Sequence, residues 1–282
     1  MEWVFCFLGI NIFVLIIFPY AFYDIVAWYF SNYIGVSFIF HITLAIHMLT
    51  LLLYLQWVPK ESKWFRTLPV WQWFRKHYFG FRIIDPHKSM ETQSSRIYAV
   101  HPHGLYPMTI ISYFANNANL LHIKPVATSL LFRVPLVKEV SGLAGVIPAN
   151  RVDILTTLQC GDSVVMCPGG IRETFKDPIV VKREGFIKIS RATNTPIVPV
   201  WSPTENALYK VWIPFPRIQG WLLSIFLYPC GVFAFGAWWM PFLPKVPKEM
   251  PLYIGKTLYP ENYETVDEMV KAFYEELEKL SQ

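Results

Sequence analysis

Two long stretches without a formal charge open the chain and limit its fold more than any other feature. Residues 3–23 are interrupted only by Asn11 and by Pro19 near their end, and residues 33–57 contain His41, Thr43, His47 and Thr50. Each is close to the roughly 20 residues a helix needs to cross a bilayer core. The nine intervening residues, 24–32, are too few for a domain, so the expectation is an N-terminal two-helix transmembrane hairpin over residues 1–58. The composition agrees: 54% of the 282 residues are hydrophobic and 16% charged, against about 25% charged in an ordinary soluble domain.

Charge is placed unevenly. The first 58 residues hold Glu2 and Asp24 but neither Lys nor Arg, so all 25 basic residues lie from Lys60 onward. By the positive-inside rule the body and the N-terminus face the cytosol. No positive charge precedes the first run and no small-residue cleavage site follows it, so a signal peptide is not expected. Residues 59–95 interleave Trp64, Phe65, Trp71, Trp73, Phe74, Tyr78, Phe79 and Phe81 with Lys60, Lys63, Arg66, Arg75 and Lys76. Rings at headgroup level beside snorkelling cations suggest a segment lying along a membrane surface. No basic face interleaved with stacking rings points to nucleic acid. Four scattered cysteines without a CxxC pair fit a reducing compartment.

Residues 96–282 have the texture of an α/β domain, a sheet covered by helices. Residues 97–100, 125–128, 164–167 and 197–201 are short apolar runs rich in β-branched side chains, fit for buried strands. Residues 151–160 predict a helix with Asn150 as N-cap and Gly161 just past its end, and residues 183–193 a second, basic one. Thr265 and Glu268 form a capping-box pattern ahead of Val266, Met269, Val270, Phe273, Leu277 and Leu280 at helical spacing. Residues 221–243 carry no charge but contain two glycines and two prolines; a re-entrant or interfacial element is expected there rather than a third span.

Three features fall at expected strand ends, where α/β sheets place ligands. The first is His101-Pro102-His103-Gly104: one of the two histidines can act as a general base, and Gly104 allows close approach of a ligand to the backbone. A His-x-His pair is also half of a metal site, but no further histidine stands at ligand spacing, so no metal is expected. The second is Pro168-Gly169-Gly170-Ile171-Arg172-Glu173, a glycine turn carrying a carboxyl group. The third runs from Lys182 to Tyr209 through a basic helix, a strand and Pro203-Thr204-Glu205-Asn206.

The order HPHG, GGxxE, RxGFxK and VPxxxxxEN, with Phe132-Arg133-Val134-Pro135 and Gly255-Lys256, resembles the type-2 diacylglycerol acyltransferase family and its monoacylglycerol and wax-alcohol relatives. It spans residues 80–282. The resemblance implies a fold like that of the glycerophospholipid acyltransferases, with His103 as the catalytic histidine and Glu173 as the family's glutamate; His101 would shape the turn. Three departures stand out: Ile171-Arg172 where small residues are usual, Pro203-Thr204 in place of Phe-Gly, and an unusually apolar 221–243.

The expected reaction is transfer of a fatty acyl group from acyl-CoA to the hydroxyl of diacylglycerol, or next of monoacylglycerol or a fatty alcohol, at the endoplasmic reticulum membrane, with the lipid droplet as a second location. The backbone around Gly104, Gly169 and Gly170 would receive the oxyanion. Arg133, Lys182, Arg183, Lys188 and Arg191 are candidates for the coenzyme A phosphates, and Arg172, Glu205 and Asn206 for the acceptor pocket. One Arg against two carboxyls is a poor phosphate clamp, which favours a neutral acceptor. No cofactor is expected beyond acyl-CoA as substrate, and a homo-oligomer is left open. A lipid hydrolase would use the same base with water, but no GxSxG is present. A non-catalytic membrane-shaping hairpin would have no use for His103 with Glu173.

Overall fold

The computed structural model describes residues 22, 25, 26, 28, 29, 37–90, 94–134, 136–175, 180–214, 233–240 and 243–282. All but Phe22 of the first apolar run, residues 24, 27 and 30–32 of the turn, and residues 221–232, 241 and 242 lie outside them. The second apolar run does form a helix, α1 (Ser37–Gln56). Among the described residues, however, no helix is long and apolar enough to cross a membrane. This overturns the expected transmembrane hairpin. The run is punctuated by His41, Thr43, His47 and Thr50, and Thr50 Oγ1 turns back onto the carbonyls of Ile46 and His47. The face of α1 bearing Ile42, Ile46, Leu49 and Leu53 is exposed.

Two short helices follow, α2 (Lys63–Arg66), capped by Ser62, and α3 (Pro69–Trp73). The 59–95 segment does not simply lie along a surface. Arg66 is fully buried and donates to the carbonyls of Ala115, Leu121, Leu120 and Ile123, with Glu61 pairing its guanidinium. One cation thereby satisfies a cluster of carbonyls that would otherwise be buried without donors. Tyr78 and Phe79 are also core residues, whereas Trp64 and Trp73 face outward.

The sheet begins with β1 (Phe81–Ile84), β2 (Ile97–His101) and β3 (Ile123–Ala127). It continues through helix α4 (Val137–Leu143), β4 (Ile147–Pro148), helix α5 (Arg151–Gln159), β5 (Ser163–Met166), helix α6 (Gly185–Thr193) and β6 (Ile197–Trp201). A two-stranded ribbon, β7 (Lys210–Trp212) with β8 (Phe233–Phe235), then precedes β9 (Met250–Ile254) and the last helix, α7 (Val266–Ser281). The seven-stranded order is β1-β9-β6-β2-β5-β3-β4. Neighbours from β6 to β4 are parallel; β9 runs antiparallel to β6, and β1 parallel to β9.

The central strands are apolar on both faces because both faces are covered; β2 and β6 are buried at every residue. On one face Ile97, Ala99 and Val164 meet Ile154 and Leu158 of α5, Phe186 and Ile187 of α6, and Met269, Phe273 and Leu277 of α7. On the other, Tyr98, Val100 and Val165 meet Ile110 and Phe114, from a wide helical turn over Thr109–Ala115. The caps are where the sequence expects them: Asn150 accepts from Asp153 N, and Thr265 and Glu268 form a full capping box. Because β6, β2 and β5 are adjacent and parallel, the loops after them meet at one carboxyl edge.

Candidate active site

Strand β2 runs one residue further than its apolar pattern and ends on His101 itself. Strand alternation puts His101 on the same face as Ile97 and Ala99, toward α7, where its ring lies 6.0 Å from that of Phe273 and 6.4 Å from that of Tyr274. It is fully buried. His103, two residues on, is half-buried and sits in the loop.

Glu173 comes from the turn after β5 and is also fully buried. Its carboxyl accepts three donors: His101 Nδ1 at 2.9 Å, the backbone N–H of Val181 at 2.8 Å and the backbone N–H of His103 at 3.1 Å. The acid therefore gathers both histidines, but its ring contact is with His101, not His103 as the triad analogy would have it. The His103 ring is held by its own loop, with Nδ1 2.6 Å from the Gly104 carbonyl oxygen. A carbonyl can only accept, so Nδ1 carries the proton and the Nε2 lone pair is left for chemistry. Burial lowers the His103 pKa from 6.5, outweighing the upward pull of the Gly104 bond and of Glu173. The neutral imidazole is thus favoured at neutral pH. His101 Nε2 is buried and has no hydrogen-bond partner among the described residues.

The paired glycines act differently from what their exposed N–H groups suggest in sequence. A Cβ on Gly169 would lie 1.9 Å from Glu173 Oε1 and 2.1 Å from its Cδ, so Gly169 is the space into which the acid folds. Gly170 N–H closes a turn on the Cys167 carbonyl at 3.1 Å. It is spent there and is not offered to an oxyanion. Gly104, at φ +64°, would meet Glu205 Cγ at 2.7 Å if it carried a Cβ.

Glu205 does not line an acceptor pocket. It is 1% exposed and turns inward, accepting from Thr109 Oγ1 at 2.5 Å, from Thr109 N at 3.2 Å and from Ser202 Oγ at 3.3 Å. Burial pushes its pKa up to about 7 despite these bonds. Asn206 beside it has a buried Oδ1 without a partner among the described residues. Arg172 is exposed. Burial, then the charges of Glu205 and Glu173, push the Cys167 thiol well above the ordinary range.

The candidate cations separate into two groups. Lys182 and Arg183 are exposed and follow Val181, whose N–H is on Glu173, so they flank the buried pair directly. Tyr274, which the sequence reading did not single out, fixes them: its hydroxyl accepts from Arg183 N at 2.6 Å and donates to Arg183 O at 3.1 Å, and Lys182 Nζ lies 5.6 Å from its ring centroid. Lys188 is exposed and paired with Glu184 at 2.7 Å, while Arg191 donates to the Glu264 carbonyl at 2.8 Å. Arg133 is exposed at the end of a short turn after β3.

The chain is similar to known proteins. The family model for diacylglycerol acyltransferase matches residues 33–281. Diacylglycerol O-acyltransferase 2 of Mus musculus is 29% identical over 167 residues, covering 54% of this chain and 42% of the relative. The Danio rerio protein of that name is 30% identical over 167 residues, with 54% and 46% covered. The match thus spans less than half the length of these two relatives. The 2-acylglycerol O-acyltransferase 1 of Bos taurus is 26% identical over 263 residues, 81% of this chain and 77% of the relative. Among solved structures, the 1-acyl-sn-glycerophosphate acyltransferase PlsC of Thermotoga maritima is similar at TM-score 0.49 and 14% identity, covering 78% of this chain and 76% of its own.

Proposed function

The chain belongs to the diacylglycerol acyltransferase family, and from that premise we propose that it transfers a fatty acyl group from acyl-CoA to the free hydroxyl of an acylglycerol, diacylglycerol first. The observation that carries this reading is the Glu173 carboxyl drawing together the His101 ring and the His103 backbone, with the His103 ring held in the basic tautomer by the Gly104 carbonyl.

In this mechanism His103 Nε2 takes the hydroxyl proton, and the oxygen attacks the thioester carbonyl to give a tetrahedral oxyanion. Collapse breaks the carbon–sulfur bond, and the imidazolium returns its proton to the departing coenzyme A thiolate. Base catalysis of this kind contributes about 10²–10⁴ in rate. Glu173 acts through the His103 peptide and through His101. A covalent acyl-enzyme is disfavoured because the Cys167 thiol is held protonated. Two observations favour a second reading, with His101 as the base: Glu173 orients the His101 Nδ1 as an acid does in a triad, and the His101 Nε2 has no partner among the described residues. Its full burial favours His103.

With Glu205 turned inward, the neutral-acceptor reading rests on Arg172 alone. A single exposed guanidinium is a weak clamp for a dianion. Lys182 and Arg183 are the cations we assign to the coenzyme A phosphates. The exposed face of α1, with Trp57 and Trp64, supports work at a bilayer surface, which we assign to the cytosolic face of the endoplasmic reticulum.

The test is labelled acyl-CoA with purified protein and a panel of acceptors. Diacylglycerol should be used best, ahead of monoacylglycerol and fatty alcohols. A preference for lysophosphatidate that Arg172→Ala removes contradicts the neutral acceptor. Two further outcomes are expected. Tyr274→Phe deletes only the hydroxyl that pins Arg183, and should raise the KM for acyl-CoA roughly threefold to tenfold, since a lost hydrogen bond is worth about 1 kcal/mol; a rise confined to the acceptor KM would put coenzyme A elsewhere. The acid limb of kcat/KM should fall below pH 6.5, because His103 resists protonation. A second limb near 7 would belong to Glu205 and should vanish in Glu205→Gln. A His103 limb above 6.5 in that variant would contradict the assignment.

A further inference from the structure

Glu205 takes no part in the proton transfer described above, yet it is a fully enclosed carboxyl, a costly thing to bury without purpose. Its contacts converge on one loop. The loop from His101 to Thr109 carries His103, and the segment Ser202–Glu205 after β6 holds it at three points. At the start, Ser202 N–H donates to the His101 carbonyl at 2.8 Å. In the middle, Gly104 packs so closely on Glu205 that a Cβ would come within 2.7 Å of its Cγ and 3.2 Å of its carbonyl oxygen. At the end, Thr109 gives the Glu205 carboxyl both its hydroxyl, at 2.5 Å, and its N–H, at 3.2 Å. Ser202 Oγ, 3.0 Å from Thr109 Oγ1, completes the cluster.

We propose that Glu205 is a positioning residue: by locking Thr109 and bracing Gly104 it fixes the 101–109 loop so that the imidazole of His103 meets the acceptor hydroxyl. This rests on the reading of His103 as the base. The Gly104 carbonyl that sets the His103 tautomer belongs to the residue that Glu205 braces. A loose brace would therefore cost orientation of the base more than binding of substrate. Displacement of a reacting group by about 1 Å costs about a hundredfold in rate, so a loop freed by a fraction of that distance should lower kcat and leave KM alone.

The experiment compares Thr109→Val, which keeps the shape and removes the hydroxyl, with Thr109→Ser, which keeps the hydroxyl, and with Glu205→Ala. For each, kcat and the KM for acyl-CoA are measured per folded protein, and backbone hydrogen exchange is followed over residues 103–109. Thr109→Val and Glu205→Ala should each lower kcat by roughly tenfold to a hundredfold with the KM for acyl-CoA unchanged. Exchange in the loop should accelerate while β2 and β6 stay protected, and Thr109→Ser should recover most of the turnover. Unaltered kcat in Thr109→Val, or a raised KM at constant kcat, overturns the proposal. If Glu205→Ala does not fold, the Thr109 pair decides alone. If the wild-type protein transfers no acyl group, the functional reading fails, but loop exchange still judges the brace: unchanged exchange in Thr109→Val overturns it, and accelerated exchange upholds it.

Discussion

Replacing His103 with alanine is expected to lower acyl transfer by about 10²–10⁴-fold, the usual contribution of a general base, with little loss of folded protein. The residue is half-buried in a loop; among the described residues its ring bonds to the neighbouring Gly104 carbonyl, and its backbone bond to Glu173 survives the substitution. His101→Ala should behave differently. That ring is enclosed between β2 and α7 and is the side-chain partner of Glu173, so its removal leaves a void beneath Phe273 and an acid short of a donor, a change that costs several kcal/mol. Its melting temperature should drop together with its activity. Turnover per folded molecule and thermal unfolding of the two variants separate the roles. A stable, active His103→Ala protein would return the base to His101.

A methyl group on Gly169 should be nearly as damaging as loss of the base. The Cβ would stand 1.9 Å from Glu173 Oε1 and 2.6 Å from its Cγ. Glu173 is fully buried, so it cannot swing away into solvent; it must move off His101, His103 and Val181 together. Three donors lose their acceptor at once, each left unmet at about 1–3 kcal/mol. Gly169→Ala should therefore lose about a hundredfold or more in kcat, with reduced stability. Gly170→Ala faces no steric obstacle within 4 Å and meets only the strain of φ +60°, so it should lose far less. Equal effects of the two would mean that Glu173 is not packed on Gly169 as described.

The parts of this molecule that follow local rules were legible in its sequence. The central strands are short apolar runs rich in β-branched side chains, and the caps at Asn150 and Thr265 are signalled by side chains that bond within their own turn. The histidines and Glu173 could be found because strand ends carry loops, and the parallel order of β6, β2 and β5 then brings them to one edge. What could not be read depends on which donor meets which acceptor across long sequence separations. Glu173 choosing the His101 ring, Tyr274 on α7 pinning Arg183, and Glu205 turning inward toward Thr109 are of this kind. A Glu in a turn reads as solvated or as a ligand contact, and nothing local distinguishes it from one buried beneath a glycine. The extension of β2 to His101 was hidden for a simpler reason: a histidine ends an apolar pattern even when its ring is in the core. The expected membrane-crossing hairpin rested on uncharged length, and among the described residues no helix is long and apolar enough to cross a membrane.

The central claim, direct acyl transfer to an acylglycerol, is tested most directly by identifying the product. Purified protein given labelled acyl-CoA and diacylglycerol should form labelled triacylglycerol and release coenzyme A in equal amounts, with no labelled protein trapped on the way. Labelled free fatty acid as the main product, or label retained covalently on the protein, would contradict it.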